Sequence, residues 1–338
     1  SAGIKTTSSH ASLFTGWYPS EVGTTMPENQ YLTTPRPTIA EELRDAGFYT
    51  ALLTNNIHLD PFFNFDRGFK SVYRGPISRG APKNSGNFDR DKFKRRIESD
   101  GLSQYPEALK LALFDDGISI RSALRTGGRI TLKHIRDYIV NPRTTSSIDW
   151  AFDALENISR QKHEDLFIVA NLMSMHSPYI PPEEYLTTDP LPKKPNVPHI
   201  PEDPTEEEHY RLWTSYKDLA KYVDDTLPEL LKQIDWDIVF ITSDHGELFG
   251  ELDGHYGHTD TIHENLVHVP AIAYGDLVPT GSTTELTSLL DIRKTILNIA
   301  TDESISGRGT DLFSGKKPNN RVVYAEFPHY IDQINSLD

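Results

Sequence analysis

The stretch from residue 237 to residue 270 constrains this chain more than any other segment. It opens with an apolar run at residues 238–241, bounded by polar residues, which predicts a strand buried on both faces of a sheet. Asp244 and His245 follow just past the carboxyl end of that strand. Because ligands of open α/β sheets bind at those carboxyl ends, this turn is the first candidate for a functional site.

Asp244 and His245 supply one carboxylate oxygen and one imidazole, a pair of donors that suits a divalent ion such as Zn²⁺ or Mn²⁺. An equally ordinary interpretation makes Asp244 a cap of the next turn and His245 a core histidine. The following residues favour the metal, because they combine many metal- and phosphate-competent side chains with glycines that let backbone approach an anion. We expect one or two of these side chains to act at the site: Glu247, His255, His258, His263 and Glu264.

A second histidine follows another predicted strand, which covers residues 165–173. His176 comes just after this strand and is therefore expected at the same sheet edge as Asp244. The proline-rich turn that follows His176 restricts the loop. His176 is thus a further candidate for the site.

A cluster of hydroxyl side chains at residues 6–9 precedes a short helical pattern at residues 11–14. Helix N-caps would explain one or two of these hydroxyls. A functional interpretation uses the same geometry, because a helix N-terminus can hold an anion that a hydroxyl then attacks. The pattern alone leaves both interpretations open.

The rest of the chain alternates between helical and strand patterns, which is typical of an α/β fold. Thr38 and Glu41 form a capping box that begins one helix, and Pro228 is expected to kink or split another. The pattern loosens over residues 57–145, where we expect an insertion that shapes substrate access. Helices are expected at residues 38–47, 146–162, 205–233 and 287–300, and strands at residues 48–55, 165–173, 268–274 and 321–327.

Composition excludes several classes of protein. The net charge of −15 argues against nucleic acid or an anionic membrane as the main partner. The sequence contains no cysteine, so disulfides, thiolate metal ligands and a cysteine nucleophile are excluded. It shows neither an apolar run that could span a bilayer nor a signal segment. These features favour a cytoplasmic location, unless the sequence is a truncated form of a longer protein.

Together, these motifs resemble the sulfatase family of the alkaline phosphatase superfamily over most of the chain. The resemblance implies an alkaline phosphatase-like three-layer α/β/α sandwich with a mostly parallel central sheet, formed by residues 1–338 as one catalytic domain. The segments that carry it are residues 6–19 (C/S-x-P-S-R running into A-S-L-x-T-G-x-Y-P), 38–50 (T-L-A-E-x-L-x-x-A-G-Y-x-T), 176–182 (P-H-x-P-Y-x-P-P), 243–247 (S-D-H-G-E) with His258, and 264–270 (Y-E-E-x-x-R-V-P).

Three departures from the family pattern stand out. Thr6 occupies the position that would become formylglycine, an aldehyde hydrate that threonine cannot form. His10 occupies the position of an arginine, which would make a weaker and pH-dependent contact to an anion. The family's first strand, with its paired acidic metal ligands, would precede Ser1. We therefore expect either a truncated form or a metal site with half its ligands.

The resemblance implies a hydrolase that cleaves a phosphate or sulfate ester through a covalent threonine intermediate. Thr6 would be the nucleophile and, with Asp244 and His245, a ligand of one divalent ion (Zn²⁺, Mn²⁺, Ca²⁺ or Mg²⁺). His176 and His258 would hold the nonbridging oxygens or protonate the leaving group.

The substrate would be a small anionic ester, possibly linked to a sugar or a lipid, and the oligomeric state stays open. Family members with threonine at the nucleophile position resemble phosphodiesterases and phosphotransferases, which favours phosphate esters. Two alternatives remain. One is a phosphotransferase that moves a phosphoryl-alcohol group to a sugar or lipid acceptor, and the other is a non-catalytic binding protein.

Overall fold

The computed structural model describes residues 1–24, 30–75, 148–191, 200–201, 203–258, 261–301, 305–314 and 321–327. The helices of this part of the chain are α1 (Thr6–Thr15), α2 (Pro19–Val22), α3 (Ile39–Asp45), α4 (Asp149–Ser159), α5 (Glu206–Leu231), α6 (Glu264–Val267) and α7 (Leu289–Ala300). The strands are β1 (Tyr49–Thr54), β2 (Ser71–Arg74), β3 (Leu166–Asn171), β4 (Val239–Thr242), β5 (Leu248–Leu252), β6 (His255–Gly257) and β7 (Ala271–Tyr274).

Three parallel strands form one sheet in the order β2-β1-β3. Thr54 lies opposite Asn171 in this register, so β1 and β3 end at the same edge. Two antiparallel pairs accompany the sheet, β4 with β7 and the hairpin β5-β6. The mixed α/β class with parallel strands, predicted from the alternating pattern, is therefore confirmed.

The prediction that β4 is buried on both faces is wrong. Each of its four residues is only half-buried, and the strand pairs with β7 in an antiparallel ribbon. An apolar run reports the preference of a strand for burial, whereas coverage of its faces depends on distant segments of the chain. The strand expected at residues 321–327 is also absent there, where a single bridge joins Glu326 to Gly3.

The helices agree with their sequence-based predictions more closely than the strands do. The Thr38 hydroxyl accepts a hydrogen bond from the Glu41 N–H at 3.1 Å, and the Glu41 carboxylate accepts one from the Thr38 N–H at 2.9 Å, as the capping box predicts. Pro228 does not split α5, which continues to Leu231. Pro228 removes the hydrogen bond to the carbonyl of Asp224. That residue is exposed, so water can replace the missing partner.

The region predicted as an insertion, residues 57–145, is described only as far as residue 75. This first part contains β2, which belongs to the parallel sheet. Residues 76–145 lie outside the described residues, and the insertion stays a prediction. None of the described helices is both long enough and apolar enough to cross a membrane.

A buried arginine holds α1 against the rest of the fold. Arg293 of α7 is 1% exposed, and its guanidinium donates hydrogen bonds to the carbonyls of Phe14 at 3.2 Å and Ser306 at 2.9 Å. It also forms an ion pair with Glu42 of α3. A buried guanidinium is tolerated only when its donors and charge are satisfied in this way. Arg293 therefore fixes the C-terminal end of the helix that carries Thr6 and His10.

We expect Arg293→Ala to lower the free energy of unfolding by about 3–5 kcal/mol, because it removes a buried guanidinium, its ion pair with Glu42 and its hydrogen bonds to the Phe14 and Ser306 carbonyls. Guanidinium chloride unfolding followed by circular dichroism measures the change. Arg160→Ala is the control, since Arg160 pairs with Glu156 on the surface and should contribute less than about 1 kcal/mol. An equal loss in both variants would contradict the anchoring role of Arg293.

Candidate active site

The first wall of the site is the N-terminal half of α1. Of the two interpretations of the hydroxyls at residues 6–9, the one in which one or two of them cap the helix does not hold, because all four lie within α1, which begins at Thr6. The N-cap residue, Lys5, makes no side-chain cap bond. The Ser8 hydroxyl donates to the Lys5 carbonyl at 3.0 Å, and the Ser9 hydroxyl donates to the Gly3 carbonyl at 2.9 Å. These serines tie the helix to the chain before it, and Thr6 is left facing the site.

The second wall is the turn after β4. The Gly246 N–H donates to the Leu266 carbonyl at 2.8 Å, and a Cβ atom at this position would come within 1.9 Å of the Asn265 carbonyl oxygen. Only glycine permits that approach. The turn is therefore held against the start of α6, and it presents Asp244 and His245 to α1.

The two walls meet at Asp244. The side chains of Thr6 and His10 both lie beside the Asp244 carboxylate, and His10 Nδ1 is 3.6 Å from Asp244 Oδ2. Burial alone would raise the pKa of Asp244, but His245, His10 and the Thr6 side chain together hold it below its ordinary value. Asp244 is thus an anionic carboxylate in a buried site.

Burial lowers the pKa of His10 below its ordinary value, and Asp244 offsets only part of this effect. Its Nδ1 lies 2.9 Å from the Thr6 carbonyl oxygen, and its Nε2 lies 3.5 Å from Asn171 Nδ2. Because a carbonyl can only accept, Nδ1 carries a proton and Nε2 is the acceptor. His10 is therefore uncharged near neutral pH and differs from the arginine of the family pattern in charge as well as shape.

Asp244 and His245 fit a divalent ion. His245 Nδ1 lies 2.9 Å from the Gly246 carbonyl oxygen, which fixes the proton on Nδ1 and leaves the Nε2 lone pair free. Nε2 is buried with no hydrogen-bond partner among the described residues, and it lies 3.8 Å from Asp244 Oδ2. Within the same residues, no group of three metal-binding side chains converges on one point. Among the described residues, Asp244 and His245 are thus the two side chains that fit the ion, and the Thr6 hydroxyl lies next to them.

His176 and His258 complete the cluster. The His258 ring lies 4.2 Å from the His245 ring and 5.4 Å from the His176 ring, measured between centroids. His176 Nδ1 donates to the Ser177 carbonyl at 2.6 Å, which leaves its Nε2 free as well. The structure therefore brings together all of the predicted site residues: Thr6, His10, His176, Asp244, His245 and His258.

The other candidates of the 237–270 stretch separate into two groups. Glu247 belongs to the site, with its side chain 8% exposed and its Oε1 atom 3.1 Å from His258 Nδ1. His255 and Glu264 are exposed, and His263 is half-buried and accepts a hydrogen bond from the Asn265 N–H at 3.2 Å. Glu264 pairs only loosely with His268 at 3.9 Å. A dense motif in the sequence thus contributes few side chains to the site.

Sequence reasoning missed His58 and Asn171. Burial lowers the pKa of His58, and the nearby charges of His176, His258 and Lys5 lower it further, so His58 borders the cluster. Its Nδ1 is buried without a hydrogen-bond partner among the residues described. His58 follows β1 by a few residues and Asn171 ends β3. The rule that identified His176, that ligands bind at the carboxyl ends of strands, would have found both.

Comparison with known proteins agrees with this arrangement. A model of the sulfatase family matches residues 1–302. The fold is similar to that of a phosphonate monoester hydrolase from Silicibacter pomeroyi, with a TM-score of 0.55, 18% identity, and coverage of 95% of this chain and 69% of that chain. A search of curated protein sequences found no match.

Two further solved structures show the same fold at low identity. One is a 2-O GAG sulfatase, with a TM-score of 0.50, 14% identity, and coverage of 92% of this chain and 64% of that chain. The other is the C-terminal periplasmic domain of EptC from Escherichia coli in complex with Zn, with a TM-score of 0.52, 14% identity, and coverage of 89% and 69%. This chain spans about two thirds of their lengths. Because the family model matches most of the 338 residues, the chain belongs to the sulfatase family.

Proposed function

We propose that this member of the sulfatase family is a metal-dependent hydrolase that cleaves a phosphate or sulfate ester with Thr6 as its nucleophile. The observation that carries the proposal is the placement of the first turn of α1, with Thr6 and His10, against Asp244, beside the free Nε2 atom of His245. A hydroxyl, a carboxylate and an imidazole then share one buried pocket, which is the set that activation of a weak oxygen nucleophile needs.

Asp244 and His245 would hold the divalent ion. When bound, the ion would lower the pKa of the neighbouring hydroxyl and offset the negative charge of the ester oxygens. The Zn complex among the similar structures supports the choice of a divalent ion in general terms. The oxygen and nitrogen donors here suit Zn²⁺ or Mn²⁺ better than Ca²⁺ or Mg²⁺, which prefer oxygen alone.

The residues divide the chemistry between them. The Thr6 oxygen attacks phosphorus or sulfur while the bond to the leaving oxygen breaks, which forms a covalent ester on Thr6 that water then hydrolyses. His176 and His258, each with Nδ1 hydrogen-bonded to an oxygen, would use a protonated Nε2 to hold the nonbridging oxygens or to protonate the leaving oxygen. His10 and His58 line the same pocket.

Threonine at the nucleophile position favours phosphate over sulfate esters. The similar structures include both a phosphonate monoester hydrolase and a sulfatase, so they support an ester of either acid. The substrate we propose is a small anionic ester, attached to a sugar or a lipid. A panel of aryl sulfate, aryl phosphate monoester and diester substrates, assayed with each divalent ion, separates these classes, and inactivity on every substrate would favour a non-catalytic binding protein.

The covalent ester on Thr6 also permits transfer to an alcohol instead of water. Such a phosphotransferase would pass a phosphoryl-alcohol group to a sugar or lipid acceptor. Analysis of the products with and without added alcohol acceptor distinguishes the two reactions. A hydrolase releases the same product in both cases, whereas a transferase forms a new ester with the acceptor.

Replacing Thr6 with alanine should abolish turnover of the best substrate in the panel, because it removes the hydroxyl proposed as the nucleophile. Metal binding should stay measurable, since Asp244 and His245 remain. Thr7→Val is the matched control. The Thr7 hydroxyl is buried and has no hydrogen-bond partner among the described residues, so its removal should preserve both folding and activity. Full turnover by Thr6→Ala would assign the nucleophile to another residue.

His245→Ala should weaken Zn²⁺ binding by at least about a hundredfold, because even the loss of an outer partner of a metal ligand costs 10- to 100-fold. Isothermal titration of the purified protein with Zn²⁺ measures the affinity. His255→Ala provides the comparison, since His255 is an exposed histidine of the same stretch and should bind Zn²⁺ like the wild type. Equal affinities of the two variants would refute His245 as a ligand.

A further inference from the structure

The hairpin β5-β6 places a carboxylate next to a site histidine. Leu248 lies opposite Gly257 in the antiparallel register, and Phe249 lies opposite Tyr256. Glu247 and His258 occupy the next position outward, where the hairpin opens toward the site. Opposite side chains in such a pair lie close enough to interact, and Glu247 Oε1 is 3.1 Å from His258 Nδ1.

The Glu247 carboxylate is buried in the protein interior. Its side chain is 8% exposed, and a buried carboxylate is stable only with partners. Tyr179 faces it: burial raises the pKa of Tyr179, and the charge of Glu247 raises it further. Tyr179 is itself buried and packs against Phe249 of the hairpin. These neighbours leave Glu247 little freedom to move.

Four histidines of the site share one feature, and His258 differs in how it achieves it. His10, His176, His245 and His258 each donate the Nδ1 proton to an oxygen. In His10, His176 and His245 the acceptor is a backbone carbonyl within four residues. Among the described residues, His258 has no such local acceptor and uses the Glu247 side chain instead. The orientation of His258 therefore depends on a residue that can be substituted.

We propose that Glu247 is a positioning residue that fixes the ring of His258, with the proton on Nδ1, so that Nε2 points to the reacting ester. The inference rests on the proposed function, in which His258 contacts the ester or its leaving group. Glu247 itself touches neither. Its effect on the reaction passes through His258 alone.

A double-mutant cycle on the full chain tests this role. The variants are Glu247→Ala, His258→Ala and their combination, each assayed for kcat and KM on the best substrate of the aryl ester panel and checked by circular dichroism and Zn²⁺ titration. Glu247→Gln keeps an oxygen acceptor and serves as the conservative variant. Glu264→Ala is the control, because it removes an exposed Glu–His pair, with both side chains at least 80% exposed. If Glu247→Ala does not fold, Glu247→Asp replaces it, since its shorter side chain withdraws the carboxylate.

Glu247→Ala should lower kcat by about 10- to 100-fold, the usual effect of losing the outer partner of a functional histidine, with KM little changed. The same substitution should have no further effect when His258 is already alanine, and Glu247→Gln should recover most of the activity. An equal loss in both backgrounds, or an unchanged kcat, would overturn the inference. Failure of the proposed function gives a different result, namely a wild-type protein inactive on every ester.

Discussion

The approach of Thr6 and His10 to Asp244 is the contact on which the site depends. It joins the first helix to a turn far along the chain, and separate contacts hold each of these two elements in place. Arg293 fixes α1 from behind through the Phe14 carbonyl and Glu42. The glycine at position 246 lets the turn approach Asn265. The position of Thr6, the proposed nucleophile, thus follows from packing and backbone geometry at a distance from the proposed chemistry.

Electrostatics in the pocket differ from those of the protein as a whole. The chain carries a net charge of −15, which opposes long-range attraction of an anionic ester. The site instead gathers imidazoles around one ionised carboxylate, and four of them hold the Nδ1 proton against an oxygen acceptor. The Nε2 atom of such an imidazole binds a metal ion when it is neutral and an anionic oxygen when it is protonated. Local hydrogen bonds and a bound ion, more than overall charge, would therefore decide affinity.

Sequence reasoning predicted those features that depend on local rules. The capping box of Thr38 follows from residues a few positions apart, and the placement of His176 and Asp244 follows from the ends of strands. It failed at the faces of β4, where distant contacts decide the burial, and at the start of α1, where two kinds of local hydrogen bond compete. The serines after Thr6 bond to carbonyls of Gly3 and Lys5, and a propensity argument could not weigh those bonds against caps. His58 was within reach of the strand-end rule and was overlooked.

The most direct test of the account is anomalous diffraction at the zinc edge from a crystal soaked in Zn²⁺. The account predicts a peak at about 2.0–2.2 Å from a carboxylate oxygen of Asp244 and from Nε2 of His245, with the Thr6 hydroxyl facing the ion. A peak elsewhere in the molecule, or an ion at Asp244 and His245 with the Thr6 hydroxyl turned away, would contradict the assignment of Thr6 as nucleophile.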